Sequence, residues 1–233
     1  MVSLLAFSLI ATSVPTYDWQ SIVQPKLSDC VLEVQGVSGS QAELRKINKD
    51  FAASYRASYI KVYYKDPLKL RVESRVDGND IYYVVNGGSK RFLVPKIHVG
   101  FTQSIAHAPG KRQTMLDFGI LTPSSFDSLL KADFVRVDRD NGNLIFDLTY
   151  QADDRSRYRV WVDPQKRVLT KRVWFAQDGH EMATFSYENP REVGGVWFPT
   201  RAVVRNSDRK VAGITEYKNI QVNIGLSDSL FKT

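Results

Sequence analysis

The chain has 233 residues, 43% hydrophobic and 24% charged, and at this length folding buries roughly 70% of the unfolded surface. That composition excludes disorder and collagen-like repetition, and a single cysteine, Cys30, excludes a disulfide-held miniprotein. Lys plus Arg exceeds Asp plus Glu by 32 − 25 = 7, a field that favours nucleic acid, anionic lipid head groups or acidic polysaccharide over cationic partners.

The first element is Val2 to Val14, uncharged and mostly apolar. Its length suits the hydrophobic region of a secretory signal and falls short of the roughly 20 residues that span a bilayer. Ala11 and Ser13 have small-residue spacing, so residues 1–13 read as a signal peptide cleaved after Ser13. No Lys or Arg precedes the apolar run, which leaves a start further upstream, or a buried first strand or helix, as alternatives. Asp29 ahead of Cys30 does not suit lipid attachment, and Cys30 reads as a small buried hydrophobe in a strand from Cys30 to Val34.

Asp18 to Ile22 has room for a short helix. Ser40 and Glu43 then have capping-box spacing, and Leu44, Ile47 and Phe51 recur at helical intervals behind them. From there the chain alternates. Ile60, Val62 and Tyr64 fall on one side of a strand, as do Leu70 and Val72, and later Tyr158, Val160 and Val162. Asp77-Gly78-Asn79, Asn86-Gly87-Gly88, Asn141-Gly142-Asn143, Asp163-Pro164, Asp178-Gly179, Gly194-Gly195 and Asn206-Ser207-Asp208 are turn signals between such runs. Thr122-Pro123 predicts one more helix start, with Phe126, Leu129 and Leu130 on one stripe. The pattern predicts a mainly β (α+β) antiparallel fold, and no composition break divides 14–233, which reads as one domain.

No metal or cofactor spacing is present. His98, His107 and His180 stand apart, and His180-Glu181 lacks the second histidine of a zinc-protease helix because Thr184 occupies its place. No nucleophile elbow, P-loop or dinucleotide fingerprint occurs, so the expectation is a protein that is not an enzyme and carries no cofactor. Lys171, Arg172, Trp174 and Phe175 allow a stacking platform with phosphate contacts. A strand of core aromatics with basic outward neighbours produces the same alternation, and the expectation is that nucleic acid is not a partner.

Several motifs share an order. Tyr63-Tyr64-Lys65-Asp66-Pro67-Leu68-Lys69-Leu70-Arg71 is followed by Val76-Asp77-Gly78 and Ile81-Tyr82-Tyr83. Later come Asp163-Pro164, Asp178-Gly179, Gly195-Val196-Trp197-Phe198-Pro199 and a terminal Leu226 to Phe231. Over roughly 30–233 this order resembles the LolA-like outer-membrane lipoprotein carrier and sorting superfamily.

The resemblance implies a half-open antiparallel β-barrel with a few helices covering its concave face. It implies a periplasmic carrier, or a sensor of envelope stress, that holds acyl chains of a lipid or lipoprotein in a hydrophobic cavity without catalysis. Inner- and outer-membrane proteins would deliver and receive the cargo, and anionic head groups would meet the cationic surface. With the alternation above it gives Leu32, Val34, Ile60, Val62, Tyr64, Leu70, Val72, Val160, Val173, Phe185 and Phe198 as lipid-binding residues. The segment Thr122 to Lys131, with Phe126, Leu129 and Leu130, is the expected lid. Where family carriers place a basic lid-holding residue this chain has Asp66, and Arg71 is the substitute considered. The rival reading is a glycan- or nucleic-acid-binding sheet that exposes Trp161, Trp174 and Trp197.

Overall fold

The computed structural model describes residues 16–233, so the signal-peptide reading of residues 1–13 lies outside the described residues. A 3-10 turn, Trp19–Ser21, opens the described chain, with the Asp18 carboxylate accepting from the Gln20 amide at 3.0 Å. Strand β1 (Asp29–Gly39) follows, then helices α1 (Gln41–Ile47) and α2 (Lys49–Ser54). Five hairpin-linked strands come next: β2 (Ala57–Lys65), β3 (Lys69–Val76), β4 (Asn79–Asn86), β5 (Ser89–Val94) and β6 (Val99–Ser104).

Residues 105–129 then form a long connection holding a 3-10 turn, Met115–Phe118, and the short helix α3 (Ser124–Ser128). The second half contains β7 (Leu130–Val137), β8 (Leu144–Tyr150), β9 (Asp153–Val162), β10 (Leu169–Phe175) and β11 (Glu181–Glu188). A small hairpin, β12 (Arg191–Val193) and β13 (Val196–Phe198), stands apart, and β14 (Arg201–Asn206) and β15 (Val211–Val222) complete the sheet.

Thirteen strands form one open antiparallel sheet in the order β6-β5-β4-β3-β2-β1-β15-β14-β11-β10-β9-β8-β7. Its two ends are β6 and β7, which are consecutive in the chain. The segment 105–129 must therefore run the width of the curved sheet, and it does so across the inner face. Ile105, Met115, Leu116, Ile120, Leu121 and Phe126 from this strap are buried against Leu32, Val62, Leu70, Phe146 and Val160 of the sheet. The predicted turns all fall between strands, and Gly78, Gly87, Gly142, Gly179, Gly194 and Gly195 in them take the left-handed backbone that tight hairpins require.

Three local expectations change. Leu44, Ile47 and Phe51 do not share one helix, because Asn48 leaves helical geometry and its side-chain oxygen accepts from the Asp50 and Phe51 amides at 2.7 and 3.2 Å. Only half of the Ser40 capping box forms. The Ser40 hydroxyl accepts from the Glu43 amide at 3.4 Å, while Glu43 turns to Asn206 and Lys46. The complete capping box belongs to Thr114 and Asp117 on the strap. Finally, the helix expected from Thr122 is a single short turn. Leu129 caps it, and Leu130 already belongs to β7.

Gly119 settles how closely the strap approaches the sheet. Its φ of 82° is left-handed, and a Cβ there would lie 2.7 Å from Tyr187 and 2.9 Å from Pro199. Gly119→Ala is expected to cost about 3–4 kcal/mol by denaturant unfolding, against about 1 kcal/mol for an alanine at Gly142, which shares the left-handed φ but faces open space. Equal losses at the two sites would remove the close approach as the cause.

Candidate functional site

The inner face leaves one apolar space unfilled. A cavity of about 170 Å3 lies between the sheet and its cover. Val34, Ile60 and Val72 of β1, β2 and β3 form one wall, and Phe185, Ala202, Val204 and Tyr217 of β11, β14 and β15 form the other. The cover is Phe51 of α2 and Tyr55 just after it, together with Gln113, Asp117 and Phe118 of the strap. Tyr55 lies flat over the sheet because Gly213 and Gly39 beneath it carry no side chain. Burial pushes its phenol up to about 12, even with Thr215 as a hydrogen-bond partner.

Phe51 meets Phe185 edge-on with ring centroids 5.8 Å apart, which ties α2 to the far wall. Polar side chains at the cavity are few: Ser54, Gln113, Asp117 and Thr215, with the phenols of Tyr55 and Tyr217.

Behind Phe185 sits a buried arginine. Arg172 is only 4% exposed, and its Nη1 donates to Asp117 Oδ1 at 2.9 Å. The guanidinium lies 4.2 Å above the Phe185 ring and 5.4 Å from that of Tyr158, and its Nε is buried without a partner. Burial works against the charge, but Tyr187, Asp117 and Tyr158 around it outweigh that cost and raise its pKa. Asp117 is a strap residue, so this pair binds the strap to the sheet.

A second attachment lies at the start of α3. Asp66 Oδ1 accepts from the Tyr64 hydroxyl at 2.7 Å and from the Ser124 hydroxyl at 2.6 Å. Thr122, expected as a helix cap, instead places its hydroxyl within 3.1–3.2 Å of Tyr64, Ser124 and Ser125. Burial raises the Tyr64 phenol, so it remains a donor.

The structure divides the predicted lipid-binding residues. Val34, Ile60, Val72 and Phe185 line the cavity. Leu32, Val62, Tyr64, Leu70 and Val160 share the inner face but are packed into the core away from it. Two assignments are corrected. Val173 pairs with Arg159 and Thr184 on the outer face, because its neighbour Arg172 is the residue opposite Phe185 and Val160. Phe198 belongs to the separate β12–β13 hairpin and is buried there.

Arg71 also moves. It pairs with Val84 on the outer face, donates to Glu73 at 2.8 Å and reaches the Leu230 carbonyl of the C-terminal segment at 3.1 Å. The strap-holding arginine is Arg172. Phe126, Leu129 and Leu130 are buried, with Phe126 stacked on Trp19 at 5.3 Å. Gln113, Asp117 and Phe118 were missed, and their Thr114–Asp117 box was the one local signal for that turn.

The tryptophans do not share a surface. Trp174 packs against the core, whereas Lys171 covers Trp161 at 4.3 Å and Lys166 covers Trp197 at 5.5 Å. Lys171 and Arg172 fall on opposite faces of β10, which separates the members of the expected stacking platform. Among the described residues no helix is long and apolar enough to cross a membrane.

An open antiparallel sheet whose own edge-to-edge connection covers its inner face is the architecture of this chain, and several solved structures are similar to it overall. A DUF1329 family protein from Desulfovibrio piger aligns with a TM-score of 0.60 at 12% identity, covering 88% of this chain and 90% of that chain. A LolA superfamily protein from Nitrosomonas europaea gives 0.58 at 14% identity, with 91% and 93% covered. A Vibrio parahaemolyticus domain described as an outer-membrane lipoprotein-sorting protein gives 0.60 at 10% identity, with 91% and 92% covered. The chain thus has the LolA-like fold. A family model described as an uncharacterized protein matches residues 131–233, and no curated protein matches significantly.

Removing the carboxylate alone, Asp117→Ala, leaves Arg172 buried without its counter-ion and is expected to cost about 2–3 kcal/mol in urea unfolding, less than for a fully buried pair because the Asp117 side chain is 38% exposed. Arg172→Met combined with Asp117→Asn should fall within about 1 kcal/mol of the parent, since a buried ion pair often gains little over apolar packing. A double variant as unstable as Asp117→Ala would show that the guanidinium does more than hold the strap.

Proposed function

We propose that the chain is a periplasmic, non-enzymatic carrier of acyl chains, taken from a lipid or a lipoprotein into the inner face of the half-barrel. The observation that supports this most is the cavity, apolar on both walls and covered by elements that the sheet does not fasten along a ladder. Each methylene moved from water into such a space contributes about 0.8 kcal/mol. About 170 Å3 is below the roughly 300–1,000 Å3 of a typical ligand pocket, so the seated cover admits only part of a chain. A whole acyl chain requires the strap or α2 to move outward. The strap is anchored in the core by Met115, Leu116, Ile120 and Leu121 and by the Arg172–Asp117 and Asp66 contacts, so α2, whose one fully buried residue is Ala52, is the part of the cover that yields more readily.

A carrier also needs to release its cargo. A cover whose position is set by a few polar contacts suits this, because a membrane protein that supplies competing groups can shift it. Delivering and receiving proteins in the inner and outer membranes are the partners this reading requires. A sensor that closes on a lipid signal would use the same cavity.

Native mass spectrometry of protein purified without detergent, with analysis of its organic extract, tests the reading. Bound masses that release acyl lipids are expected, and Ile60→Asp, a wall residue already partly exposed, should lower uptake at least about tenfold. Uptake unchanged in a folded Ile60→Asp protein would exclude this cavity as the site. A parent protein that remains empty after incubation with lipid would end the carrier reading.

A further inference from the structure

One edge of the sheet differs from the rest of the surface. Residues 81–116 contain no Asp or Glu, yet they hold Lys90, Arg91, Lys96, Lys111 and Arg112, with His98 and His107. Elsewhere cations are commonly paired, as at Arg159–Asp147, Lys69–Asp228 and Arg201–Glu188. Among the described residues these five form no salt bridge. Asp80, the acid just before the segment, is held by Arg75 at 2.7 Å, and Lys96 adds only a weak pull on it.

The same segment exposes its apolar side chains. Ile97, Val99 and Phe101 are 57%, 44% and 50% exposed, and all six residues of β6 are exposed. β6 is a terminal strand, with its outer backbone groups unpaired among the described residues. Isolated exposed hydrophobics are ordinary, but three within five residues on an open edge form a patch.

The patch also connects inward. Strand register places Val72, Tyr83, Phe92 and Phe101 side by side on the inner face. Val72 is a wall of the cavity, and Phe92 stacks on Phe101 at 5.5 Å. An apolar row therefore runs from the cavity to the exposed edge.

We propose that the β6 edge, with the turn at 95–97, is a docking surface for an anionic lipid bilayer. Ile97, Val99 and Phe101 enter the interface, and Lys90, Arg91 and Lys96 meet acidic head groups around them. The choice of a bilayer as occupant rests on the carrier reading, for which this edge is where an acyl chain would enter. Charge argues against a second copy of the chain. A second copy would bring only the same acid-free segment, with no carboxylate in 81–116 to meet these cations, whereas an anionic bilayer supplies the opposite charge.

The test is flotation of the full chain with vesicles of phosphatidylcholine alone or mixed equally with phosphatidylglycerol. Binding is expected on the mixed vesicles only, weakening as salt rises. Ile97→Asp with Phe101→Asp, and separately Arg91→Glu with Lys96→Glu, should each weaken it about tenfold or more. All four positions are exposed, and circular dichroism confirms that the variants fold. Equal binding to both vesicle types, no binding, or parent-like binding by both variants would overturn the proposal. So would a dimer in ultracentrifugation that Ile97→Asp abolishes, which would make the second copy the occupant. Uptake of a fluorescent fatty acid by the parent in vesicle-free buffer separates the two readings. Vesicle binding without uptake supports the docking surface and removes carriage, whereas uptake without vesicle binding overturns docking alone.

Discussion

Consecutive strands β6 and β7 occupy opposite ends of one thirteen-stranded sheet, and this constraint shapes everything else in the molecule. A connection between two far edges has only two routes, outside the sheet or across its hollow. Here residues 105–129 take the hollow and bring Met115, Leu116, Ile120 and Leu121 into the core. The sheet has no need to close into a barrel, because its own connection covers the apolar face that closure would have buried. Irregular chain laid on a core must satisfy its polar groups by other means. Hence the capping box at Thr114, the left-handed Gly119, and the cluster of Thr122, Ser124 and Ser125 hydroxyls around Asp66.

That arrangement gives the two sides of the cavity different mechanical character. The walls belong to a continuous hydrogen-bonded ladder, and moving them would break many bonds together. The cover is two short helices and a strap, attached by packed side chains and by scattered backbone bonds, such as the Leu169 amide to the Gly119 carbonyl at 3.0 Å, in place of a ladder. Segments with few fastened backbone groups open at lower free energy than strands in a sheet. The Arg172–Asp117 pair suits such a cover, since burying it gains little net stability while it specifies one seated position. Its unpartnered Nε marks a place where the packing favours position over complete satisfaction.

The β architecture was legible because its signals are local. Ile60, Val62 and Tyr64 alternate with outward residues and do face inward, and the Gly- and Asn-rich dipeptides do lie at hairpins. The order of motifs from Tyr63 to Phe231 likewise pointed to the fold that the solved structures share. The site was only partly legible. In Lys171-Arg172-Val173-Trp174 the hydrophobicity rule turns valine inward and arginine outward. The structure does the reverse, because Phe185, Tyr158 and Asp117 together give the guanidinium an interior environment. In Arg201-Ala202-Val203-Val204 three apolar residues in a row leave no alternation to read, so Ala202 and Val204 went unassigned to the cavity. Gln113, Asp117 and Phe118 reach it only through the long connection, which no local period announces. Phe198 failed for a different reason, since its hairpin left the main sheet.

The net charge of +7 has a location as well as a sign. Much of the basic surface is neutralised in place, as where Asp147 receives both Arg157 and Arg159 on the outer face. Those pairs screen each other and project little field. The acid-free segment 81–116 has no such compensation, so its field extends into solvent over the Debye length of roughly 8–10 Å. The opposite edge, β7, interleaves Lys131 and Arg136 with Asp133 and so lacks that bias, although Val135 and Val137 are exposed there. The half-barrel therefore has one edge that is both cationic and apolar and another that is of mixed charge. A molecule polarised in this way meets an anionic interface in one orientation, with the end of the Val72–Phe101 row turned toward it.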